Sequence, residues 1–220
     1  MARIIVIGAH GKIALHAQRM LAHARHTVHG VIRNPEHSDD VAATGAEPVL
    51  ADVESLDQQG TDSLVGGYDV VVWSAGAGGG SPERTRAVDH DAALRVLDAV
   101  GRSGARLLMV SYFGSSREHG VPVDHPFHAY AEAKSLVDEA IRESGADWVI
   151  LAPSTLTLED EGGIEIDEPE GSVASGEIPR ATVARLIAEV VARPELRGVT
   201  IRCNGGSVPV GEALDGLAGA

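Results

Sequence analysis

The 220-residue chain contains a single cysteine, Cys203, so the sequence offers neither a disulfide framework nor a thiolate-bound metal cluster. Positive charge is scarce as well, because 18 lysine and arginine residues face 32 acidic ones and leave a formal net charge of −14. This charge argues against nucleic acid and anionic membranes as partners. The first apolar run is too short to span a membrane and lacks the charged start of a signal peptide, so we expect a soluble cytoplasmic protein.

Large side chains are rare, since aromatic residues make up 3% of the chain whereas glycine alone accounts for 26 residues. Small side chains let helices pack closely on a sheet. A chain of this length is large enough to bury about 70% of its unfolded surface as one ordinary domain. There is no internal repeat and no linker long enough to separate two domains, so we predict one domain over residues 1–220.

The first fourteen residues contain the strongest local pattern. Ile4-Ile5-Val6-Ile7 is typical of a buried parallel strand, and it leads directly into Gly8-Ala9-His10-Gly11-Lys12-Ile13-Ala14. Gly8 suits a tight turn, Gly11 lets the backbone approach a pyrophosphate, and the small Ala14 lets the next helix pack on the strand. The helix N-terminus offers free N–H groups to phosphates. An ordinary glycine turn is the alternative, but the strand–turn–helix context favours nucleotide binding.

The second predicted strand runs from Thr27 to Ile32 and ends at Arg33-Asn34-Pro35. In dinucleotide-binding folds this strand end meets the adenosine ribose, where an acidic residue would bind a 2′-hydroxyl group and repel a 2′-phosphate. Arg33 instead presents a planar cation, which favours the 2′-phosphate of NADP. A solvated arginine is the alternative. We therefore expect NADP(H) as the cofactor, with NAD(H) less favoured.

Later strands place two more segments at the same edge of the sheet. Asp52 follows the third strand, where it either accepts a hydrogen bond from the adenine amino group or caps the next helix. The glycine-rich stretch from Ser74 to Gly80 follows the fourth strand, where such sheets bind ligands; a flexible linker is the weaker alternative. The pattern predicts a three-layer α/β/α, doubly wound, mostly parallel Rossmann sheet with strand order 3-2-1-4-5-6 and a further strand beyond. The later predicted strands are Pro48 to Ala51, Tyr68 to Trp73, Arg106 to Val110, Trp148 to Leu151 and Val199 to Arg202.

A tyrosine and a lysine lie four residues apart in a predicted helix that ends near Ser144. Residues with this spacing share a helix face, so Tyr130 and Lys134 converge on one point. A lysine ammonium beside a phenol lowers the pKa of the phenol, which then exchanges a proton with a carbonyl or alcohol during hydride transfer. Ser111, at the end of the fifth strand, is placed to donate a hydrogen bond to the same substrate oxygen. A surface Tyr and Lys on an amphipathic helix is the alternative.

Two other polar features have weaker interpretations. The histidines and an acidic neighbour form two groups without a spacing that fixes a coordination geometry, so we expect no metal site. Seven acidic residues lie between Glu159 and Glu170. We interpret residues 152–177 as a lid over the nicotinamide end of the cofactor, although a solvated acidic loop fits the sequence equally well. The histidine groups are His23, His26 and His29, and His119, His125 and His128 with Asp124.

Taken together, these motifs resemble those of the atypical short-chain dehydrogenase/reductases. The similarity is strongest to the small NAD(P)H-binding group that includes NmrA-like and flavin reductase/biliverdin reductase B-like proteins. Ala14 replaces the third glycine of the loop, and Ala152 stands where an arginine commonly precedes the proline, which puts any anionic contact of that arginine in doubt. The resemblance rests on residues 8–14, 33–35, 51–52, 74–78, 110–111, 130 with 134, 151–153, 178–184 and 204–210.

The resemblance implies positions for the cofactor. Its pyrophosphate side would meet the first glycine loop, its 2′-phosphate end would meet the second strand, and its adenine would meet the third. The central part would follow the fourth strand, and the nicotinamide ribose would lie near Lys134 and the loop after the sixth. The implied cofactor-binding residues are Gly8, His10, Gly11, Lys12, Ile13, Arg33, Asn34, Asp52, Val53, Ala75, Gly76, Ala77, Gly78, Lys134, Pro153, Ser154, Thr155 and Leu156.

We therefore predict an NADP(H)-dependent oxidoreductase that moves hydride between the nicotinamide and a small carbonyl, quinone or flavin-like acceptor. Tyr130 would exchange the proton with the substrate. Lys134 would lower the pKa of Tyr130 and anchor the nicotinamide ribose, and Ser111 would donate a hydrogen bond to the substrate. A non-catalytic NADP(H) redox sensor is the main alternative. A sugar-nucleotide epimerase or dehydratase ranks lower because it would need a larger substrate domain. Two copies are expected to pair through the predicted helices Arg84 to Val100 and Pro126 to Ser144.

Overall fold

A computed structural model describes residues 1–78 and 81–218 and shows a mostly parallel sheet between two layers of helices. Eight strands follow the order β3-β2-β1-β4-β5-β6-β10-β8, and only the edge strand β8 runs antiparallel to its neighbour β10. The predicted fold and strand order are confirmed, and β10 is the expected further parallel strand. The strands are β1 (Arg3–Ile7), β2 (Thr27–Ile32), β3 (Glu47–Leu50), β4 (Val70–Trp73), β5 (Arg106–Val110), β6 (Asp147–Pro153), β7 (Thr155–Thr157), β8 (Gly163–Ile166), β9 (Glu177–Pro179) and β10 (Val199–Gly206).

Helices follow most of the parallel strands and cover both faces of the sheet. One of them is irregular, because a π-helical segment, Arg86–Ala92, joins α4 (Pro82–Thr85) to α5 (Ala93–Ser103) within the single helix that the sequence predicted there. In the part of the chain that is described, no helix is both long and apolar enough to cross a membrane. The α-helices are α1 (Lys12–His23), α2 (Ser38–Ala42), α3 (Gln58–Val65), α4 (Pro82–Thr85), α5 (Ala93–Ser103), α6 (His128–Glu143), α7 (Arg180–Val191) and α8 (Val210–Ala218).

Strand β1 lies at the centre of the sheet and contributes to the core on both faces. Ile4 and Val6 pack in the layer that contains α1 and α7, whereas Ile5 and Ile7 pack in the layer that contains α5 and α6. All four side chains are fully buried. A parallel strand covered on both faces needs apolar residues at consecutive positions, which is why this run lacks the alternation of a half-exposed strand.

The acidic segment contains a strand that the sequence did not predict. Ile164 is buried, Glu165 is exposed, and both lie in β8, which pairs with the last four residues of β10. The buried Asp167 accepts hydrogen bonds from the N–H groups of Gly171 and Val173, and it forms an ion pair with Arg202. The interpretation as a solvated loop was therefore wrong for this part, because the flanking carboxylates concealed a two-residue alternation. A lid over the cofactor stays a prediction.

The loops after β1 and β4 come into direct backbone contact. Gly8 has φ of +86°, and a Cβ atom there would lie 2.6 Å from both the Cα and N atoms of Ala75. Only glycine combines this left-handed conformation with so close an approach. Gly79 and Gly80, which the sequence placed in the second of these loops, lie outside the described residues.

We expect Gly8→Ala to lower the free energy of unfolding by about 2 kcal/mol or more, because the added methyl group meets backbone atoms that cannot rotate away. Gly101→Ala is the matched control, since Gly101 is exposed in α5 and a Cβ atom there meets nothing within 4 Å. The control should leave stability unchanged or raise it by up to about 1 kcal/mol. Urea unfolding followed by circular dichroism measures both; equal stability of the two variants would contradict the steric argument.

Candidate active site

Two cavities of about 480 Å³ each open at the carboxyl ends of the central strands. The first cavity is lined by the loops after β1, β2, β3 and β4, and the second by the loops after β4 and β5, the start of α6 and Leu156. The two cavities share Ser74, Ala75, Gly76 and Gly78. They meet where the strand order reverses between β1 and β4, which is where doubly wound sheets bind ligands.

The glycine loop forms one wall of the first cavity. Gly8, His10 and Gly11 line it, whereas Ile13 lines the second cavity and Lys12 lines neither. Gly11 is the N-cap residue of α1 and supplies no side chain to cap that helix, so the first-turn N–H groups remain free to bind an anion. His10 is fixed by stacking on His37, with ring centroids 3.6 Å apart. The loop therefore offers backbone donors at a helix N-terminus.

Two arginines and one glutamate surround the far end of the first cavity. Arg33 lies there as predicted, with its Nη1 3.5 Å from Oε2 of Glu54. Arg84 lies 3.4 Å from the same carboxylate oxygen and donates to the carbonyl oxygen of Ala77 at 2.6 Å. Sequence reasoning missed Glu54 and Arg84, because α4 joins this wall only in the folded chain. Asn34 lines the cavity, and its side chain is bonded to Glu36.

Asp52 and Val53 line the first cavity beside the end of β3. The Asp52 side chain accepts a hydrogen bond from the N–H of Glu54 at 3.1 Å and so shapes the loop. The alternative interpretation of Asp52 as a helix cap was wrong, because Asp57 occupies the N-cap position of α3 and accepts from the N–H of Gly60. Asp52 therefore lines the first cavity without capping a helix, and its contact with adenine stays a prediction.

The second cavity holds Ser111 and Tyr130, two of the three predicted catalytic side chains. Tyr130 belongs to a cluster of three aromatic rings, with its centroid 5.1 Å from that of Phe127 and 5.6 Å from that of Tyr112. Phe127 and Leu156 add apolar surface to the same cavity. Pro153, Ser154 and Thr155 line neither cavity, so their contact with the cofactor stays a prediction.

Lys134 lies beneath the second cavity. Its side chain is fully buried, and Nζ donates to the carbonyl oxygen of Val110 at 2.8 Å. Burial lowers the pKa of Lys134, while Asp138 and Asp89 oppose that shift. The ammonium group therefore lies near two acidic residues, next to the strand end that carries Ser111.

The expected lowering of the Tyr130 pKa is not found. Burial, followed by the nearby Asp89 and Asp138, raises the pKa of this phenol. The loss of water and the two carboxylates oppose ionisation of the phenol, and Lys134 is not among the groups that shift this pKa. A four-residue spacing could predict that Tyr130 and Lys134 share a helix face, but it could not predict the acidic groups brought near them. At neutral pH Tyr130 is a neutral phenol that has a proton to donate.

Ser111 donates its hydroxyl hydrogen to Oδ2 of Asp138, and Ser115 donates to the same atom, both at 2.5 Å. Asp138 is fully buried in α6. The hydrogen of Ser111 therefore points to the protein, which leaves its oxygen lone pairs for a ligand rather than the donor expected from the sequence. Asp138 was missed, although its position four residues after Lys134 continues the spacing of Tyr130 and Lys134 along one helix face.

Asp89 in the π-helical segment is the third acidic residue that the sequence analysis missed, after Glu54 and Asp138. It is 1% exposed, and its Oδ2 accepts a hydrogen bond from the N–H of Ala77 at 2.9 Å. Its Oδ1 has no hydrogen-bond partner among the described residues, and the side chain lines the second cavity. Burial raises the pKa of Asp89, against the opposing effects of the Ala77 N–H, Lys134 and Arg84. The sequence around it gave no signal, since three polar residues in a row suggest an exposed helix face.

The histidine groups do not form a coordination site. Within the described ranges there is no set of three or more His, Cys, Asp or Glu side chains placed to hold a metal ion. His119 and His128 pack edge to face with centroids 5.4 Å apart, and His119 lies 3.3 Å from a carboxylate oxygen of Glu132. These contacts fix the loop that leads into α6.

Comparisons with known proteins agree with this geometry. The chain is 30% identical to a UPF0659 protein of Schizosaccharomyces pombe over 99% of this chain and 95% of the relative. A solved structure from Bacillus halodurans carries the working name of an NAD-dependent epimerase/dehydratase. It is 26% identical in sequence, and the two structures superpose with a TM-score of 0.88 over 98% of this chain and 100% of the other. The oxidoreductase ylbE from Lactococcus lactis shares the fold at 21% identity and a TM-score of 0.86, covering 99% of this chain and 97% of the other.

A family model described as NAD(P)H-binding matches residues 8–194, a range that begins at the first glycine of the β1–α1 loop and includes most residues of both cavities. The chain belongs to this NAD(P)H-binding family.

Proposed function

We propose that the protein is an NADP(H)-dependent oxidoreductase that moves hydride between the nicotinamide and a small carbonyl, quinone or flavin-like acceptor. The observation that carries the proposal is the pairing of the two cavities. One has anion-binding groups and the other has a neutral phenol, and they share the same glycine-rich strand end. A dinucleotide that spans both would place its reactive ring beside Tyr130.

The residues of the first cavity suit the cofactor in shape and charge. Gly8 and Gly11 leave room for the cofactor because they have no side chain. A Cβ atom at Gly8 would lie 2.6 Å from backbone atoms of Ala75, and one at Gly11 would lie 3.1 Å from the Gly8 carbonyl oxygen. Backbone N–H groups at the start of α1 would hold the pyrophosphate. Arg33 would bind the 2′-phosphate in place of its ion pair with Glu54.

When it is bound, the cofactor supplies or accepts the hydride. For reduction of a carbonyl group, Tyr130 would donate its phenolic proton to the substrate oxygen as that oxygen gains negative charge. The lone pairs of Ser111 would accept a hydrogen bond from a donor group on the ligand. Phe127 and Leu156 would exclude water from the apolar side of the acceptor. Lys134 would hold the end of β5 through Val110, and its contact with the nicotinamide ribose stays a prediction.

An epimerase or dehydratase is the second candidate. The Bacillus halodurans protein with that working name is covered over 100% of its length by this chain. The size of the substrate domain therefore does not separate the two functions. Such an enzyme returns the hydride to its product and consumes no cofactor, so net oxidation of NADPH by an acceptor would distinguish the oxidoreductase. Cofactor binding without turnover of any acceptor would instead favour a redox sensor.

Cofactor preference tests the role of Arg33. We expect Arg33→Ala to weaken NADPH binding roughly tenfold to a hundredfold, because a charge-assisted contact to phosphate is lost, and to leave NADH binding unchanged. Glu54→Gln should shift the preference further toward NADPH, since it removes the carboxylate that competes for Arg33. Arg86→Ala is the control, because Arg86 is exposed and lies outside the first cavity.

Titrations of tryptophan fluorescence or calorimetry with NADPH, NADP⁺, NADH and NAD⁺ give these affinities. Equal loss of NADPH and NADH binding in Arg33→Ala would contradict the proposed phosphate contact. No binding of any of the four nucleotides by the wild-type protein would overturn the proposed function itself.

Tyr130→Phe should lower the turnover number by about 10²–10⁴-fold, the usual contribution of a positioned acid, with the dissociation constant of NADPH unchanged. Tyr112→Phe is the matched control, because its ring lies 5.6 Å from that of Tyr130 but does not line the second cavity. Steady-state oxidation of NADPH by 9,10-phenanthrenequinone measures both. Equal activity of the two variants would exclude Tyr130 as the proton donor.

The raised pKa of Tyr130 gives a separate prediction for the pH profile. A phenol whose pKa lies above the ordinary value of 10.0 stays protonated throughout the neutral and mildly alkaline range. The turnover number for aldehyde reduction should therefore stay level from neutral pH to about pH 10. A fall centred near pH 8 that Tyr130→Phe abolishes would show instead that the phenol has a lowered pKa.

A further inference from the structure

Around the second cavity the acidic groups of the described ranges outnumber the basic ones, because Asp89 and Asp138 both lie near a single buried ammonium group, that of Lys134. Among the described residues that line this cavity, Asp89 is the one whose side chain is ordinarily charged at neutral pH, and none is a lysine, arginine or histidine. The remaining lining is apolar, glycine-rich or hydroxyl-bearing. A ligand in this cavity therefore meets an anionic group without a balancing cation on the cavity wall.

The position of Asp89 is fixed by the backbone around it. The Ala77 N–H holds Oδ2, while Oδ1 lies under Gly76, where a Cβ atom would be 3.1 Å away. The residue is 1% exposed, and Oδ1 has no hydrogen-bond partner in the described part of the chain. A buried oxygen without a partner indicates either a local cost or a missing ligand. Because Oδ1 is closed off beneath Gly76, Asp89 acts on a ligand in the cavity through its charge and not through a hydrogen bond.

The cationic side chains that line a cavity wall lie in the first cavity, whereas the Lys134 ammonium group is buried beneath the second. Arg33 and Arg84 both line the wall of the first cavity, as does Gly11 at the uncapped N-terminus of α1. This separation assigns the phosphates of a dinucleotide to the first cavity and leaves the second without an anion-binding group. Asp89 also contributes to the raised pKa of Tyr130, which places its charge close to the proposed proton donor.

We infer that the second cavity selects uncharged acceptors, such as simple quinones, aldehydes or unphosphorylated flavins. It rejects acceptors that carry a sulfonate, carboxylate or phosphate group, and Asp89 is the residue that determines this specificity. The inference rests on the proposed oxidoreductase function. Like charges at a partly solvated protein site repel more strongly than they do in bulk water, so a single carboxylate is enough to discriminate. Sugar nucleotides, which carry a charged diphosphate, would be disfavoured for the same reason.

Two pairs of acceptors test the charge rule with NADPH as the donor. The first pair is 2-methyl-1,4-naphthoquinone and 1,2-naphthoquinone-4-sulfonate, and the second is riboflavin and FMN, which differ by one phosphate. We expect kcat/KM to be at least about tenfold higher for the uncharged member of each pair. Raising the ionic strength should narrow this gap, because salt screens the repulsion where water reaches the cavity.

Asp89→Asn identifies the source of the discrimination. The amide oxygen is still able to accept from the Ala77 N–H, so the variant removes the charge and keeps the shape. We expect the ratio of kcat/KM between the uncharged and the anionic acceptor to fall about tenfold. Asp91→Asn is the matched control with the same change in net charge, because Asp91 lies in the same π-helical segment, pairs with His90 and lines neither cavity. It should leave the ratio unchanged.

The outcomes separate the inference from the function on which it rests. If the wild-type protein oxidises NADPH with no acceptor of either pair, the proposed function fails and the inference fails with it. If it reduces anionic and uncharged acceptors equally well, or if Asp89→Asn and Asp91→Asn change the ratio alike, the oxidoreductase stands and the charge rule is overturned. If Asp89→Asn does not fold, the test is the ratio of kcat/KM between uncharged and anionic acceptors in the wild-type protein, measured at low and high salt. A ratio that does not change with salt overturns the inference.

Discussion

The contact between the loops that follow β1 and β4 is the constraint on which the site depends. Gly8 touches the backbone of Ala75 so closely that no side chain fits between them. This contact joins the two cavities into one groove, because the residues from Ser74 onward form the shared wall. The central position of β1 makes the contact possible, since β1 pairs with β2 on one side and β4 on the other. A ligand that spans both cavities must cross this point.

Beneath the groove lies a small group of buried charges. Lys134 lies near both Asp89 and Asp138, and these acidic residues reach the second cavity by different routes. Asp89 lines the cavity directly, whereas Asp138 acts through the hydroxyl group of Ser111. Burying three ionisable groups adds little net stability, because desolvation offsets their attraction. Their main observed effect is on protonation, since Asp89 and Asp138 raise the pKa of Tyr130.

The sequence predicted the framework well because the framework is encoded locally. Apolar runs such as Ile4 to Ile7 predict strands buried on both faces, and a glycine turn between strand and helix predicts which edge binds a nucleotide. Prediction failed where the signal was concealed or non-local. The alternation in β8 is masked by neighbouring acidic residues, and the π-helical segment that carries Asp89 has the sequence of an ordinary helix. The aromatic and charged environment of Tyr130 combines residues from several elements, so no spacing rule reaches it.

By itself, the sequence determined the sheet, its strand order, the glycine loop, and the presence of Arg33, Ser111 and Tyr130 at the ligand-binding edge. The strand ends and helix starts follow from neighbouring residues, and the strand order follows from the known arrangement of doubly wound dinucleotide-binding sheets. Only the tertiary structure decided the chemical state of those groups. It paired Arg33 with Glu54, turned the hydroxyl hydrogen of Ser111 toward Asp138, and raised the Tyr130 pKa. Protonation and hydrogen bonding depend on burial and on charges that are distant in sequence, and folding alone brings these together.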